Sequence, residues 1–497
     1  MKQLINVLFL GIILMINFSL AKPVSGQGKA FFDQYFQDET MRVDYEHMGD
    51  SETEQVVLDR IYRQDLWAGS QKNLIDTLNY GYFRFQLFDE ESGICIFSKQ
   101  FNSNFGEYKV TPFATQGILK SFHESALFPV PVNSFIFKID KRNKSNEFEG
   151  LFVKTIDPEG REVIIDETAD PSVLVLNTIY NGDAHTKVDI VFVAEGYAAN
   201  EINKFEKDLK HFSASLFEKE PMRSNKDKFN IWGTFKASPE SGVDQPRNGS
   251  FKKTNFGASF NSFDIERYLL IEDNQVLRDV AGHAPYDAIF ILVNHDRYGG
   301  AGMYNLYCTL TSDNVYSDFL MIHEFGHSFF GLADEYYTSE VGFDDIYGPG
   351  YEPIEANITS LQDPAKLKWK HLVKKGTPIP TDWNKDAYDM SDEIWQMERA
   401  EWMKKIAELS KSGADSDALQ LAKDTYNEKN QAHSKKMYDW LHKGHLADKV
   451  GAFEGAGYTS KGMYRPMMDC VMFTKNADDF CKVCSESMQK TIDWYSE

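Results

Sequence analysis

Two histidines four residues apart, with a glutamate directly after the first, stand at His323-Glu324-Phe325-Gly326-His327. At that spacing both imidazoles lie on one face of a helix and can reach a single ion, while Glu324 faces a water beside it. The chemistry open to such a group is metal-assisted hydrolysis. Zinc suits the ligand types, and Glu324 is then the general base that helps water attack an amide. A catalytic zinc site takes three protein ligands and keeps one position open, so a third ligand must follow the helix. Gly331 is placed to end the helix in a left-handed turn, and Asp334 beyond it offers a third ligand, with Glu335 or a more distant carboxylate as the alternative.

Several elements must hold these residues. Tyr286 to Val293 is a short apolar run that reads as a buried strand, and Asp318 to Ile322 opens an apolar helix running into the motif, with Ser317 or Asp318 as its cap. Between them, Tyr298 to Asn305 carries Gly299, Gly300 and Gly302, and is the candidate rim or edge strand for an extended substrate backbone. Val188 to Ala194 and Phe229 to Phe235 read as further strands. A helix with apolar face Ile202, Phe205, Leu209, Phe212 and Leu216 lies between them, which implies an α/β layer. Residues 391–446 turn helical and charged, with Ile394, Trp395, Met403, Ile406 and Leu409 on one face. They form a helical insertion that covers the catalytic domain or grips substrate. Asp344, Asp345, Asp389 and Asp392 could hold a structural calcium ion, although they lack an EF-hand pattern. Alternation at Tyr82 to Phe88 and Ser134 to Ile139 indicates half-buried strands, so residues 29–168 are expected to form a β-sandwich that supports its neighbour. Asp157 to Gly160 is a turn between late strands.

The stretch His323 to Tyr336, together with Gly451 to Tyr458, Lys461 to Pro466 and Phe480 to Cys484, resembles the IgA-peptidase family of secreted bacterial zinc metallopeptidases. The four blocks occur in order across the C-terminal two thirds. The family commonly carries a β-rich N-terminal domain as well. The resemblance implies a metzincin-like peptidase, although the glycine and third ligand stand one residue further from the second histidine than in the usual metzincin pattern, and the ligand is an aspartate rather than a histidine. A methionine turn beneath the metal is a metzincin hallmark. Met472, in Cys470-Val471-Met472, is favoured over Met467 and Met468. Tyr458 and Tyr464 flank that turn and are the candidates for an oxyanion donor, with Gly299 and Gly300 as substrate contacts.

The resulting fold class is α+β: an N-terminal β-sandwich followed by a metzincin-like α/β zinc-peptidase domain, residues 177–497, carrying the helical insertion. Lys2 and the apolar stretch Leu4 to Leu20 read as a signal peptide ending at residue 21, or alternatively at 26, so the mature protein is expected to be exported, whether secreted, periplasmic or at the cell surface. No later segment is long enough to span a bilayer. A net charge of −22 argues against nucleic acid and leaves a protein or peptide as the expected partner; oligomeric state is not fixed. Five cysteines allow at most two disulfides. Cys481-x-x-Cys484 reads as a structural disulfide or a pair of buried thiols rather than a metal site, because Cys470 and Cys308 do not make a second close pair. The expected function is hydrolysis of peptide bonds with one catalytic zinc ion. The alternatives are an inactive secreted binding protein with a structural zinc, recognising partners through its β domain, and a zinc enzyme acting on a non-peptide amide. An intact Glu324 favours the enzyme over the binding protein.

Overall fold

Phenylalanines on alternate positions build the first domain. In the computed structural model, which describes residues 28–166, 170–338, 347, 350–411 and 416–497, Phe83, Phe85 and Leu87 of β3 (Phe83–Asp89) all point inward. The other strands are β1 (Phe36–Gly49), β2 (Glu54–Gln64), β4 (Cys95–Phe101), β5 (Lys120–Pro131), β6 (Phe135–Arg142), β7 (Phe148–Ile156) and β8 (Val163–Ile165). They form two four-stranded sheets, ordered β5-β1-β2-β8 and β4-β3-β6-β7, over one aromatic core. Phe128 of the first sheet meets Phe85 and Phe137 of the second, each pair with ring centroids 6.0 Å apart. The expected turn is present, with Gly160 N–H donating to Asp157 O.

The second domain is layered on a six-stranded sheet ordered β13-β14-β12-β10-β11-β9. Its strands are β9 (Leu174–Ile179), β10 (Val188–Glu195), β11 (Phe229–Phe235), β12 (Ala288–Val293), β13 (Gly300–Met303) and β14 (Tyr307–Thr311). The four inner strands run parallel and both edges are antiparallel. Every residue of β10 is buried, as expected for a strand covered on both faces. One face carries Ile190 and Phe192 against the helix Ile202–Ser215, the motif helix Ser317–Ser328 and the C-terminal helix Lys482–Ser496. The other carries Val191 and Val193 against the helix Asn274–Ala281. The motif helix starts differently from expectation. Tyr316 is its N-cap, and Ser317 is its first residue, with its hydroxyl turned back to Thr311 O at 2.5 Å.

The insertion is an antiparallel pair of helices, Lys385–Lys411 and Ser416–His442, clasped by Trp395 on His433 with ring centroids 5.1 Å apart. The chain then forms the hairpin β15 (Phe453–Ala456) and β16 (Thr459–Arg465). The sandwich docks on the second domain through polar contacts: Asn305 Nδ2 donates to Gln100 O at 2.7 Å, Asn104 Nδ2 to Tyr307 OH at 3.0 Å, and fully buried Arg42 to the half-exposed Asp279 at 2.7 Å. Among the described residues no helix is long and apolar enough to cross a membrane. The expected signal segment and Asp344 and Asp345 lie outside the described residues.

Candidate metal centre and active-site cleft

The motif helix is pressed between the sheet and a turn from the far end of the chain. Phe325 packs on Phe290 of β12, with ring centroids 5.0 Å apart, and this sets which face of the helix looks outward. On the outward face His323 Nε2 and His327 Nε2 are 3.2 Å apart, and Asp334 Oδ1 lies 3.0 Å from the first and 3.2 Å from the second. Gly331, at φ +60°, makes the left-handed turn that brings Asp334 back, with Leu332 N–H closing onto Gly326 O at 2.9 Å.

Each histidine is fixed by its other nitrogen. His323 Nδ1 donates to Val471 O at 3.2 Å and His327 Nδ1 to Leu332 O at 2.6 Å; because a carbonyl can only accept, both Nδ1 atoms carry the proton. That leaves two Nε2 lone pairs and a carboxylate oxygen facing one another, an arrangement that repels itself unless positive charge sits between them. Asp334 Oδ1 makes no hydrogen bond among the described residues. Three donors of this kind fit a divalent metal ion. The other Asp334 oxygen accepts from the Tyr458 hydroxyl, so Tyr458 holds the carboxylate's orientation.

Met472 lies directly below this group. A methyl added at Gly326 would sit 2.6 Å from the Met472 sulfur, so the glycine of the motif is where the thioether packs. Met468 packs instead with Tyr337, Trp383 and Phe453, and the Met467 sulfur accepts from the Lys482 amide. Glu335 points away from the histidines into a cluster of buried cysteines. Tyr464 pairs its backbone with Thr359 and lies outside the cleft. Gly300 lines the cleft, whereas Gly299 is backed onto Phe260, where an added methyl would sit 2.3 Å from the ring. Asp389 is taken by Lys385 and the Tyr337 hydroxyl, and Asp392 by His433, so these carboxylates do not converge on a cation site.

The cleft above the histidines has a volume of about 1980 Å³ and lies between the two domains. Glu324 lines it, and burial raises the Glu324 pKa. Sequence reasoning missed several other lining residues. Arg267 donates to the Tyr336 hydroxyl at 3.2 Å, and Glu107 reaches in from the sandwich under the hydroxyl of Tyr268, whereas Tyr298 opens the segment expected as the rim and does line the cleft. Arg267 and Glu107 come from a loop and another domain, and no spacing in the sequence ties them to the motif. Edge strand β13 borders the cleft through Gly300, Ala301 and Gly302. The insertion adds Tyr388, Asp392 and Arg399 at its rim.

A helix-borne histidine pair, a third carboxylate donor and a buried glutamate at the floor of an interdomain cleft define a metal-dependent hydrolase. Residues 176–492 match the family described as IgA Peptidase M64, and residues 31–153 match the one described as Peptidase M64 N-terminus. The chain belongs to the IgA Peptidase M64 family and is a metallopeptidase, a hydrolase acting on peptide bonds. Among curated proteins, none matches the chain.

Proposed function

We propose that this protein is an exported, metzincin-like zinc endopeptidase that cleaves extended segments of protein substrates. The convergence of His323 Nε2, His327 Nε2 and Asp334 Oδ1 beside buried Glu324 carries this reading. His323, His327 and Asp334 would hold a zinc ion, which when bound would supply Lewis-acid polarisation for the attack of water on the scissile carbonyl. Glu324 takes the proton of the attacking water and returns it to the leaving amine. Val471 and Leu332 fix the two imidazoles through their carbonyls, and Tyr458 fixes Asp334, so the donors are ordered before substrate arrives. Arg267 and Tyr298 face the cleft beside Glu324 and serve as partners for the developing negative charge on the substrate oxygen, a role for which Tyr458 is already committed elsewhere. Met472 forms the methionine turn below the site. Tyr268 bridges the outer side of β13 at Gly300, and the strand beyond that bridge borders the cleft where an extended chain would lie. Export follows from the apolar N-terminal stretch.

Glu324→Gln keeps the shape of the side chain and removes its basicity. It should retain full metal content and lose about 10²- to 10⁴-fold in turnover of an unstructured protein substrate. Near-normal turnover would overturn the assigned role, and a metal-replete wild type that cleaves no peptide would favour the binding-protein reading.

A further inference from the structure

Behind the catalytic donors the structure gathers a second set that the hydrolytic reaction does not use. Cys470 precedes the methionine turn, Cys481 caps the C-terminal helix, Cys484 lies in its first turn, and Glu335 follows Asp334. Their three sulfurs and one carboxylate oxygen all lie within 4.8 Å of one another, and all four side chains are buried. The Cys470 and Cys484 sulfurs are 3.7 Å apart, and Glu335 Oε1 is 3.2 Å from the Cys484 sulfur and 3.8 Å from that of Cys481. Four ligands about 2.3 Å from a central zinc ion at tetrahedral angles are separated by about 3.8 Å, whereas a disulfide requires about 2.05 Å. The observed spacings match the first figure.

The surroundings suit thiolates around a cation. The Cys481 amide donates to the Cys470 sulfur at 3.2 Å and the Cys484 amide to the Cys481 sulfur at 3.4 Å. The N-terminus of the C-terminal helix faces the cluster, which favours negative charge on sulfur. Asn357 Nδ2 orients Glu335 by donating to Oε1 at 3.0 Å. Glu335 Oε2 is buried with no hydrogen-bond partner among the described residues, a costly state for a carboxyl unless an ion takes the lone pair. The fully buried guanidinium of Arg465 acts on Glu335 and offsets part of the excess negative charge.

We propose that Cys470, Cys481, Cys484 and Glu335 form a second, structural zinc site beneath the catalytic one. This site is independent of the hydrolytic reading. The sequence hides it because Cys481-x-x-Cys484 lacks a second close pair; the fold supplies the missing ligands from the methionine turn and from Glu335. Such an ion would join three chain segments that carry catalytic parts. Glu335 is covalently next to Asp334, Cys470 is next to the carbonyl that holds His323, and Cys481 anchors the helix packed under the motif.

The test is zinc content of the full chain after a weak-chelator wash, with thiols counted by alkylation under denaturing conditions without reductant. The wild type should hold two zinc ions per chain with five alkylatable thiols. His323→Ala/His327→Ala should hold one, and Cys481→Ser/Cys484→Ser should lose one. Because the cysteine variant could fail to fold, cobalt is substituted into the wild type and the histidine variant. A sulfur-to-cobalt charge-transfer band that survives in the histidine variant supports the site without any cysteine replacement. One zinc in the wild type, a Cys470–Cys484 or Cys481–Cys484 disulfide, or cobalt spectra without thiolate character would each overturn the proposal.

Discussion

Tyr458 shows how one residue can be placed correctly and yet serve a different purpose from the one its position suggests. Its backbone sits at φ +61° in the turn of the β15–β16 hairpin, and its hydroxyl ends on Asp334 Oδ2. With that oxygen occupied, Asp334 presents Oδ1 to the histidines. Tyr458→Phe should leave the fold intact and weaken metal affinity by about 10-fold or more, the usual effect of removing a group that orients a ligand. Competition with a chromophoric chelator measures it. An unchanged affinity with lowered turnover would return Tyr458 to a role on the substrate. Local spacing made His323, Glu324 and His327 legible, since one helix turn dictates their geometry. Asp334 was legible because Gly331 announces the turn before it. Arg267 and Glu107 were not, because each reaches the cleft from an element whose path no local pattern records.

Where the motif helix passes β13, Leu320 packs on Gly300, but Gly302 lies against the helix backbone itself. An added methyl at Gly302 would meet the Glu324 carbonyl oxygen at 2.4 Å and the His327 Cβ at 3.1 Å. The obstacle is helix backbone, which cannot swing aside as a flexible side chain would. Gly302→Ala should therefore cost about 1–3 kcal/mol of stability and displace the rim from Glu324. A lowered Tm together with a fall in kcat/KM at unchanged zinc content is the expected outcome; a variant as stable and active as wild type would show the strand free to move. The strands β10, β11 and β12 were readable from their apolar runs, as was the helix Ile202–Ser215 from its periodicity. The edge strands were harder. β13 is two glycines, an alanine and a methionine, a composition that reads equally as loop, and only pairing with β14 makes it a strand. The cysteine cluster was beyond a sequence reading for a related reason: its ligands are separated by 149 residues between Glu335 and Cys484.

At the scale of the whole molecule, stability depends on charged groups sealed inside the sandwich. Burial would raise the Glu54 carboxyl, but His47, Lys109 and Lys141 surround it and hold it at about 2. Its folded pKa lies below the ordinary 4.5, so its contribution is complete above pH 4.5 and is lost as pH falls through about 2. Buried His47 runs the other way. Burial disfavours its charge, yet Glu124 and Glu54 raise it above 6.5, so its contribution is complete below pH 6.5 and fades as pH rises through the folded value. Their joint effect is greatest between about pH 4.5 and 6.5. Glu54→Gln should remove on the order of 2–3 kcal/mol at pH 6 and much less near pH 2, read from urea unfolding at both values. An equal loss at both would mean that packing, rather than charge, is what Glu54 provides.

The position of the sandwich also decides which bonds can be reached. Tyr82, Glu107 and Arg142 wall the cleft opposite the motif helix, and the insertion closes a further side with Tyr388 and Arg399. A cleft bounded on these sides is expected to take an extended strand more readily than a helix or a paired sheet. On that expectation the enzyme would select for disorder through its architecture, whatever its preference for particular side chains. In a folded multidomain substrate its cuts should map to the linkers between domains, and unfolding that substrate should scatter them along the whole chain.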